Sequence, residues 1–428
     1  MNIKKRILEI FNEPEYTPKT ALQLMDILGI DRSEKREFLD VLEAMEKEGS
    51  IVKTKTKKYG LPDKLGYVVG NFQANVRGFG FVIPEDRSKK DVYISPEDIN
   101  GAMNGDRVIA KILLNDGDRS LEGEIVRVLE RANKKIVGTI EKTKHFAILV
   151  PDDARLNTTV FVPDDALEGA QKGYKVVVEI TKWPHGHLGP EGRVIEVLGH
   201  KDDVGTDILS IMRQYELSEE FPQEVLDEAS RIPQEVSQKD IEGREDLRGL
   251  KIVTIDSEGA KDLDDAVSIS LLQNGHFMLG VHIADVSHYV KEGSALDKEA
   301  LARGCSVYPV DRVIPMLPPA LSNGICSLNP RVDRLTLSVF MEINENGDVV
   351  EHRFVPSVIK TCERMTYTDV TKLLTDPDNN LLGRYGYLLE DFKLMAKLRG
   401  ILRQRRKQRG SIDFDIDEAQ IKLDVAGK

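Results

Sequence analysis

The residues best suited to chemistry are four aspartates that lie in one short stretch of the chain: Asp256, Asp262, Asp264 and Asp265. Residues 250–253 before them and 266–269 after them have the composition of strands, which places the aspartates in a connecting loop. Like charges held together in a loop are costly unless a cation neutralises them. Hard cations prefer carboxylate oxygens as ligands, so the loop predicts a Mg²⁺ site. Two such ions about 3.5–4 Å apart would suit phosphodiester hydrolysis, because they stabilise both the attacking and the leaving oxygen.

The acidic cluster does not by itself require magnesium. A run of carboxylates is often only a solvated acidic loop, and that alternative stays open. A calcium loop of the EF-hand kind is excluded, because Lys261 stands where such a loop requires glycine and because strands flank it. His282, Asp285 and His288 have a spacing that would suit a second metal centre. We interpret them instead as hydrogen-bonding residues with a structural role.

The segments around this loop divide the chain into five regions of a multidomain α+β protein. Residues 1–66 combine three helical patterns with a basic strand pair, which predicts a winged helix-turn-helix, although a bundle used only for packing or dimerisation remains the alternative. Residues 67–130 and 131–200 repeat one order of strands, which predicts two duplicated five-stranded barrels. Residues 201–248 predict a helical connector, and residues 249–428 alternate strands with helices.

Aromatic residues of the first barrel form a candidate surface for nucleic acid. Phe79 and Phe81 alternate along one strand and therefore share a face, and Tyr93 lies on a neighbouring strand. Such rings stack on single-stranded bases without reading their sequence. Burial of part of this set in the barrel core is the alternative. In the second barrel Phe146 and Phe161 are weaker candidates, and a mainly structural role for that barrel is equally open.

The charge of the chain limits where phosphates can bind. Sixty Lys and Arg residues against 72 Asp and Glu residues give a net charge of −12, which excludes a globally basic nucleic-acid surface. Phosphate contacts should therefore be local. The strongest basic run, residues 399–409, lies on a predicted helix and contains the candidate RNA-binding residues Arg403 and Arg406. A solvated helix face is the alternative.

Composition also indicates the compartment. The 428 residues include three cysteines, none of them in a Cys-x-x-Cys pair, which argues against a disulfide scaffold and a structural zinc site. No apolar run approaches the ~20 residues of a membrane helix, and the first residues lack a signal-peptide core. We expect a monomeric cytoplasmic protein with reduced thiols and no membrane partner.

Several long motifs resemble the ribonuclease R / ribonuclease II (RNB) family of 3′→5′ exoribonucleases. They include Ala-Lys-Asp-Leu-Asp-Asp-Ala-Val at 260–267 and Leu-Ser-Asn-Gly-Ile-Cys-Ser-Leu-Asn-Pro at 321–330. Further matching segments are residues 281–290, 293–297, 306–308, 311–318 and 409–414. The likeness covers nearly the whole chain in the family's domain order: helix-turn-helix, two cold-shock-like OB-fold barrels, then the RNB catalytic domain. Such a series is far more specific than any single motif.

The resemblance implies roles for individual residues. Asp256 and Asp265 would be direct ligands of Mg²⁺, with Asp262 and Asp264 in the same carboxylate set. Asp262 and Asp264 would also be catalytic, Asp264 being the more closely tied to the chemical step. Tyr308 would stack near the scissile nucleotide, where a core aromatic is the alternative. The implied reaction is attack of metal-activated water on single-stranded RNA, processively releasing nucleoside 5′-monophosphates in RNA decay and quality control.

The chain also departs from the family pattern. It has no segment like Thr-Ser-Pro-Ile-Arg-Arg, whose arginine would stabilise charge on the leaving phosphate, and no C-terminal S1 barrel. Strand patterns at residues 412–416 and 419–425 end at half of a hairpin turn, so we expect the front part of a longer protein, with an incomplete catalytic domain and little activity alone. Two other functions remain open: a non-catalytic RNA-binding or RNA-chaperone protein, and a DNA-binding regulator that uses residues 1–66.

Overall fold

The computed structural model of the chain describes residues 3–114, 121–143, 146–184, 186, 188–412, 414 and 421. It divides into two compact units, the first ending at Glu216 and the second beginning at Leu217. The hairpin that the sequence predicts beyond residue 412 falls largely outside the described residues.

The first unit begins with three helices and a small sheet. Their bounds are α1 (Ile3–Asn12), α2 (Ala21–Leu28), α3 (Lys35–Lys47), β1 (Lys19–Thr20), β2 (Val52–Lys53) and β3 (Lys58–Gly60). The strands are antiparallel in the order β1-β3-β2. Apolar residues at helical spacing, including Phe11, Leu24 and Phe38, meet in one buried core. Thr20 caps the start of α2, which fixes where that helix begins.

The first barrel follows as a closed sheet of five strands. Its strands are β4 (Tyr67–Ala74), β5 (Gly80–Pro84), β6 (Val92–Ile94), β7 (Arg107–Leu114) and β8 (Leu121–Glu130). They close in the order β4-β5-β6-β8-β7, and only the β6–β8 pair within this set is parallel. Alternate residues such as Val82, Val92 and Ile94 point inward and are fully buried.

The second barrel repeats this arrangement. Its strands are β9 (Lys135–Lys142), β10 (Ala147–Pro151), β11 (Val160–Val162), β12 (Tyr174–Lys182) and β13 (Glu191–His200), closed in the order β9-β10-β11-β13-β12. Gly70 pairs with Pro84 in the first barrel as Gly138 pairs with Pro151 in the second. A Cβ at either glycine would lie 2.2 or 2.3 Å from a carbonyl oxygen of the neighbouring strand. The prediction of two matching five-stranded barrels is confirmed.

The predicted helical connector, residues 201–248, is shared between the two units. Helix α4 (Thr206–Gln214) belongs to the first unit, where Arg213 forms an ion pair of 2.8 Å with Glu196 on β13. Helices α5 (Gln223–Ser230) and α6 (Gln238–Ile241) belong to the second. The difference arises because an amphipathic pattern shows that a helix buries one face but does not identify what it packs against.

The second unit is built on a seven-stranded sheet. Its strands are β14 (Glu245–Asp246), β15 (Val253–Asp256), β16 (Asp265–Leu271), β17 (Phe277–Ala284), β18 (Asp333–Ile343), β19 (Val349–Lys360) and β20 (Glu363–Thr366), in the order β14-β19-β18-β17-β16-β15-β20. Its further helices are α7 (Val286–Tyr289), α8 (Ala295–Arg303), α9 (Tyr367–Thr375), α10 (Asn379–Tyr385) and α11 (Leu389–Gln408). Leu398 of α11 is buried against Phe277 and Ile343 of the sheet. No helix in the described part of the chain is long and apolar enough to span a membrane.

A ladder of buried polar side chains crosses the middle of this sheet. His282 on β17 contacts Ser338 Oγ through Nδ1 at 2.7 Å and Ser268 Oγ through Nε2 at 3.1 Å. Ser357 Oγ continues the ladder, 2.6 Å from Ser338 Oγ and 2.8 Å from Thr336 Oγ1. Burial lowers the pKa of His282 from 6.5 to about 4, so the ring is neutral near pH 7. These contacts agree with the structural role that we assigned to this histidine.

The neutral state of His282 makes the stability of the sheet depend on pH. Because the pKa of His282 is lower in the folded chain than its ordinary value of 6.5, protonation favours unfolding. The contribution of neutral His282 to the free energy of unfolding is fully present above pH 6.5. It should be lost as the pH falls towards about 4, and the loss should be about 3 kcal/mol at most. Hydrogen exchange of the β17 amides at pH 7 and pH 4 measures it. His282→Gln should remove this part of the pH dependence, and an unchanged pH dependence in that variant would contradict the assignment.

Candidate active site

The aspartate loop joins two neighbouring antiparallel strands of the seven-stranded sheet. Asp256 is the last residue of β15, and Asp265 is the first residue of β16. Residues 257–264 form the connection between them, and Asp262 and Asp264 lie in its second half. Strand geometry thus brings Asp256 and Asp265 to the same end of the two strands. The loop brings Asp262 and Asp264 to that end as well.

Side chains from distant parts of the chain hold this loop in place. Arg364 on β20 donates from Nη2 to three backbone carbonyl groups of the loop, at 2.7 to 3.1 Å. Ser327 Oγ donates to the carbonyl oxygen of Lys261 at 2.8 Å and accepts from the amide of Leu263 at 3.1 Å. The Leu263 side chain is buried in the core below. The backbone on either side of Asp262 is therefore fixed.

The four carboxylates affect one another electrostatically. Burial raises the pKa of Asp256, and the negative charge of Asp265 raises it further, while the Arg364 guanidinium acts in the opposite direction. The Asp264 side chain reaches water, but the protein atoms around it remove part of its hydration, and this loss raises its pKa. The negative charges of Asp262 and Asp265 raise the pKa of Asp264 further. A cation placed among these groups would relieve this repulsion.

The donor chemistry of the loop fits a hard cation, since every candidate ligand is a carboxylate oxygen. The described residues nevertheless contain no group of three or more His, Cys, Asp or Glu side chains already arranged as a metal site. Neighbouring aspartates are thus near enough to raise the pKa of Asp256 and of Asp264, but the four are not gathered into a finished ligand set.

A cavity of about 900 Å³ opens beside the loop. Asp256, Asp262, Asp264 and Tyr308 all line it. The Tyr308 side chain is 61% exposed, which excludes the alternative of a core aromatic. Its hydroxyl donates to Asp262 Oδ2 at 2.5 Å. This hydrogen bond is the largest cause of the raised pKa of Tyr308, and partial burial of the side chain is the next largest. Arg312 also lines the cavity, where it is paired with Asp311 at 2.7 Å.

Some of the predicted site residues lie outside this cavity. Asp265 is not among the residues that line it, although its charge acts on Asp256 and Asp264. Arg403 and Arg406 are exposed on the last turns of α11, and they do not line the cavity either. The structure therefore brings three of the four aspartates together with Tyr308 and leaves the basic helix end outside this group.

The remaining members of the His-x-x-Asp-x-x-His segment make protein contacts. Asp285 accepts a hydrogen bond of 2.5 Å from Arg244. His288 Nε2 lies 3.2 Å from Asp240 Oδ1, and its Nδ1 lies 3.4 Å from Arg244. These contacts agree with the structural role predicted for the segment.

The aromatic residues of the first barrel form one cluster. The ring centroid of Tyr93 lies 5.6 Å from that of Phe79 and 5.7 Å from that of Phe81, and the two phenylalanine rings are 5.9 Å apart. All three rings are half-buried, so each keeps part of its surface open to solvent. They cluster because Phe81 is directly opposite Tyr93 across β5 and β6. In the second barrel, Phe146 and Phe161 are exposed.

Sequence reasoning did not identify Arg364 and Ser327 as residues of the site. Arg364 is 99 residues and Ser327 is 62 residues beyond Asp265 in the chain, and neither stands in a pattern that predicts contact with the loop. The only usable signal for Ser327 was its place in the family-like segment 321–330, which assigns it no partner.

Comparison with known proteins agrees with this architecture. Three family models match: the Ribonuclease B OB domain at residues 70–128, the cold shock domain at residues 148–222 and the RNB domain at residues 244–428. Ribonuclease R of Thermotoga maritima is 42% identical over all of this chain, which spans 60% of that protein. A ribonuclease R of Acidithiobacillus ferrooxidans is 37% identical over 93% of this chain and 90% of its own length.

A solved structure is also similar. The RNase R of Mycoplasma genitalium, in complex with ribose-methylated single-stranded RNA, matches with a TM-score of 0.73 and 26% identity. The match covers 84% of this chain and 56% of that one. Two OB-type barrels followed by an RNB domain that carries the aspartate loop, together with 37% identity over nearly a whole relative, define the affiliation. The chain belongs to the ribonuclease R family of 3′→5′ exoribonucleases.

Proposed function

We propose that this chain carries the RNA-binding barrels and the active site of a Mg²⁺-dependent exoribonuclease. It would hydrolyse single-stranded RNA processively from the 3′ end to nucleoside 5′-monophosphates, as a cytoplasmic monomer in RNA decay. The observation that carries the proposal is the cavity in which Asp256, Asp262 and Asp264 meet beside the exposed ring of Tyr308. The single-stranded RNA bound to the similar Mycoplasma protein supports the choice of substrate.

The residues of the cavity would divide the work. Asp256 and Asp265, with Asp262, would hold Mg²⁺, which supplies positive charge, polarises the phosphodiester and lowers the pKa of bound water. Tyr308 would stack on the base near the scissile bond and so position the RNA end over the carboxylates. Asp264 would accept a proton from the attacking water, a role that suits a carboxylate with a raised pKa.

We also propose that the N-terminal segment is a winged helix-turn-helix, with the β2–β3 hairpin as its wing. The order of three helices and a three-stranded antiparallel sheet supports this fold. Its charges are unevenly divided. The exposed side chains of α3 mix acidic Glu37, Asp40 and Glu43 with basic Lys35, Arg36 and Lys47, whereas the charged residues at the hairpin tip, Lys55 and Lys57, are both basic and exposed. Phosphates would therefore meet the wing more favourably than the helix.

A second candidate is an RNA-binding protein that does not cleave its ligand. The aromatic cluster of the first barrel favours it, because stacking rings bind single strands without any chemistry.

One experiment separates the two candidates. The 428-residue chain is incubated with single-stranded RNA labelled at its 5′ end, and in parallel with uniformly labelled RNA, in Mg²⁺ and in EDTA. The exoribonuclease predicts shortening from the 3′ end and mononucleotide products in Mg²⁺, at a low rate because little activity is expected of this chain alone, and intact RNA in EDTA. RNA that stays intact in both solutions while it remains bound would overturn the proposal in favour of the binder. Internal cleavage products would overturn both.

A further inference from the structure

The hydroxyl of Tyr308 makes a direct hydrogen bond to a carboxylate that the proposed function uses for metal. The hydroxyl donates to Asp262 Oδ2 at 2.5 Å, within the range of a hydrogen bond between an O–H donor and a carboxylate oxygen. A carboxylate oxygen that accepts this hydrogen bond has fewer lone pairs available for a cation. The same side chain therefore touches the metal site and offers the exposed ring on which a base would stack.

The backbone is held at both ends of this contact. Val307, next to Tyr308, exchanges two hydrogen bonds with Ile314, at 2.9 and 2.8 Å. On the other side, Ser327 holds the carbonyl group before Asp262 and the amide group after it. Because both backbones are held in place, the contact breaks by rotation of the Tyr308 and Asp262 side chains and not by movement of the chain. The Tyr308 side chain is exposed and therefore has room to rotate.

We propose that Tyr308 is a latch on Asp262, which it engages when no RNA end is present and releases when its ring stacks on a base. This inference rests on the proposed function. Release would free Asp262 to join the other aspartates, so the arrival of RNA would complete the metal site. Binding of the divalent cation and binding of the RNA end would then favour each other equally, because such coupling is reciprocal.

The latch has a specific advantage for an enzyme that removes one nucleotide at a time. Without RNA, Asp262 would have a proton donor as its partner instead of a strongly bound cation. Each newly stacked base would reassemble the site at the correct end of the strand. Tyr308 is thus a positioning residue in this inference, since its hydroxyl acts through Asp262 and not on the reacting atoms.

Measurement of Mn²⁺ affinity tests the latch without any turnover. Titration calorimetry of the full chain is done with and without an RNA that carries non-hydrolysable linkages at its 3′ end. In the parent chain, RNA should tighten Mn²⁺ binding about three- to tenfold. In Tyr308→Phe, which keeps the ring but removes the hydroxyl, Mn²⁺ should bind about three- to tenfold more tightly without RNA, and RNA should add little.

Control variants separate the failure of the latch from the failure of the proposed function. Tyr367→Phe is the matched control, because this tyrosine is 62% exposed in the same unit and does not line the cavity, so its Mn²⁺ affinity should equal that of the parent. Asp256→Asn should weaken Mn²⁺ binding in any case. If it does not, the proposed metal site is wrong. If it does, but Tyr308→Phe binds Mn²⁺ as the parent does or more weakly, the metal site stands and the latch is overturned.

Discussion

Replacement of Asp264 by asparagine is expected to slow RNA hydrolysis at least about a hundredfold while RNA affinity is kept. Asparagine has nearly the same shape but carries no negative charge and cannot accept a proton at neutral pH. RNA affinity should be equal or slightly higher, because the change removes one negative charge from a cavity that would hold phosphates. Shortening of 5′-labelled RNA over time measures the rate, and filter binding measures the affinity.

The matched control for this variant is Asp376→Asn. Asp376 is exposed, just after α9, and does not line the cavity, so its substitution should leave both rate and affinity unchanged. If Asp264→Asn kept more than half of the parent rate, Asp264 would not be the carboxylate of the chemical step. The metal set could then stand, but the assignment of roles within it would be wrong.

The aromatic cluster of the first barrel gives the second large effect. Tyr93→Ala should weaken binding of a single-stranded oligonucleotide about tenfold, because a stacked base contributes ~1–3 kcal/mol and this ring contacts both Phe79 and Phe81. The loss should be similar for oligonucleotides of different sequence, since stacking does not read base edges. Fluorescence anisotropy of a labelled oligonucleotide in EDTA measures it without interference from cleavage.

The second barrel supplies a matched variant, since Phe161 is the middle residue of β11 as Tyr93 is of β6. Among the described residues no ring contact joins Phe161 to another aromatic side chain. Phe161→Ala should therefore weaken binding less than about twofold. Equal losses of affinity for the two variants would show that both barrels bind bases alike. They would contradict the prediction that the aromatic cluster of the first barrel contributes more to binding. Thermal unfolding of each variant establishes that both remain folded.

The sequence was sufficient to predict those parts of the fold that depend on local pattern. Each barrel is indicated by its valine-rich strand patterns and by the order of strands that residues 67–130 and 131–200 share. The division of residues 201–248 between two units could not be predicted in this way. What decides it is the partner of each helix, such as Glu196 for α4, and that partner is distant in sequence.

The site shows the same limit. Four aspartates in one loop predict an acidic site, and the family-like motifs suggest which of them matter. The support of that loop by Arg364 and Ser327 is a matter of three-dimensional packing, because a single arginine or serine carries no pattern of its own. The contact between Tyr308 and Asp262 joins residues that are 46 positions apart, so only the folded chain could show it.

The polar ladder through the seven-stranded sheet has a consequence for how the chain finds its alignment. In a purely aliphatic sheet, slippage by two residues keeps the same faces buried and costs little. Here such slippage would move His282 away from Ser338 and Thr336 away from Ser357, leaving hydroxyl groups without partners in the interior. The ladder therefore acts against misaligned strands during folding. Asp265 pairs with Ile283 at the end of the β16–β17 pair. Correct pairing of the buried residues of these two strands therefore also fixes the position of Asp265 at the active site.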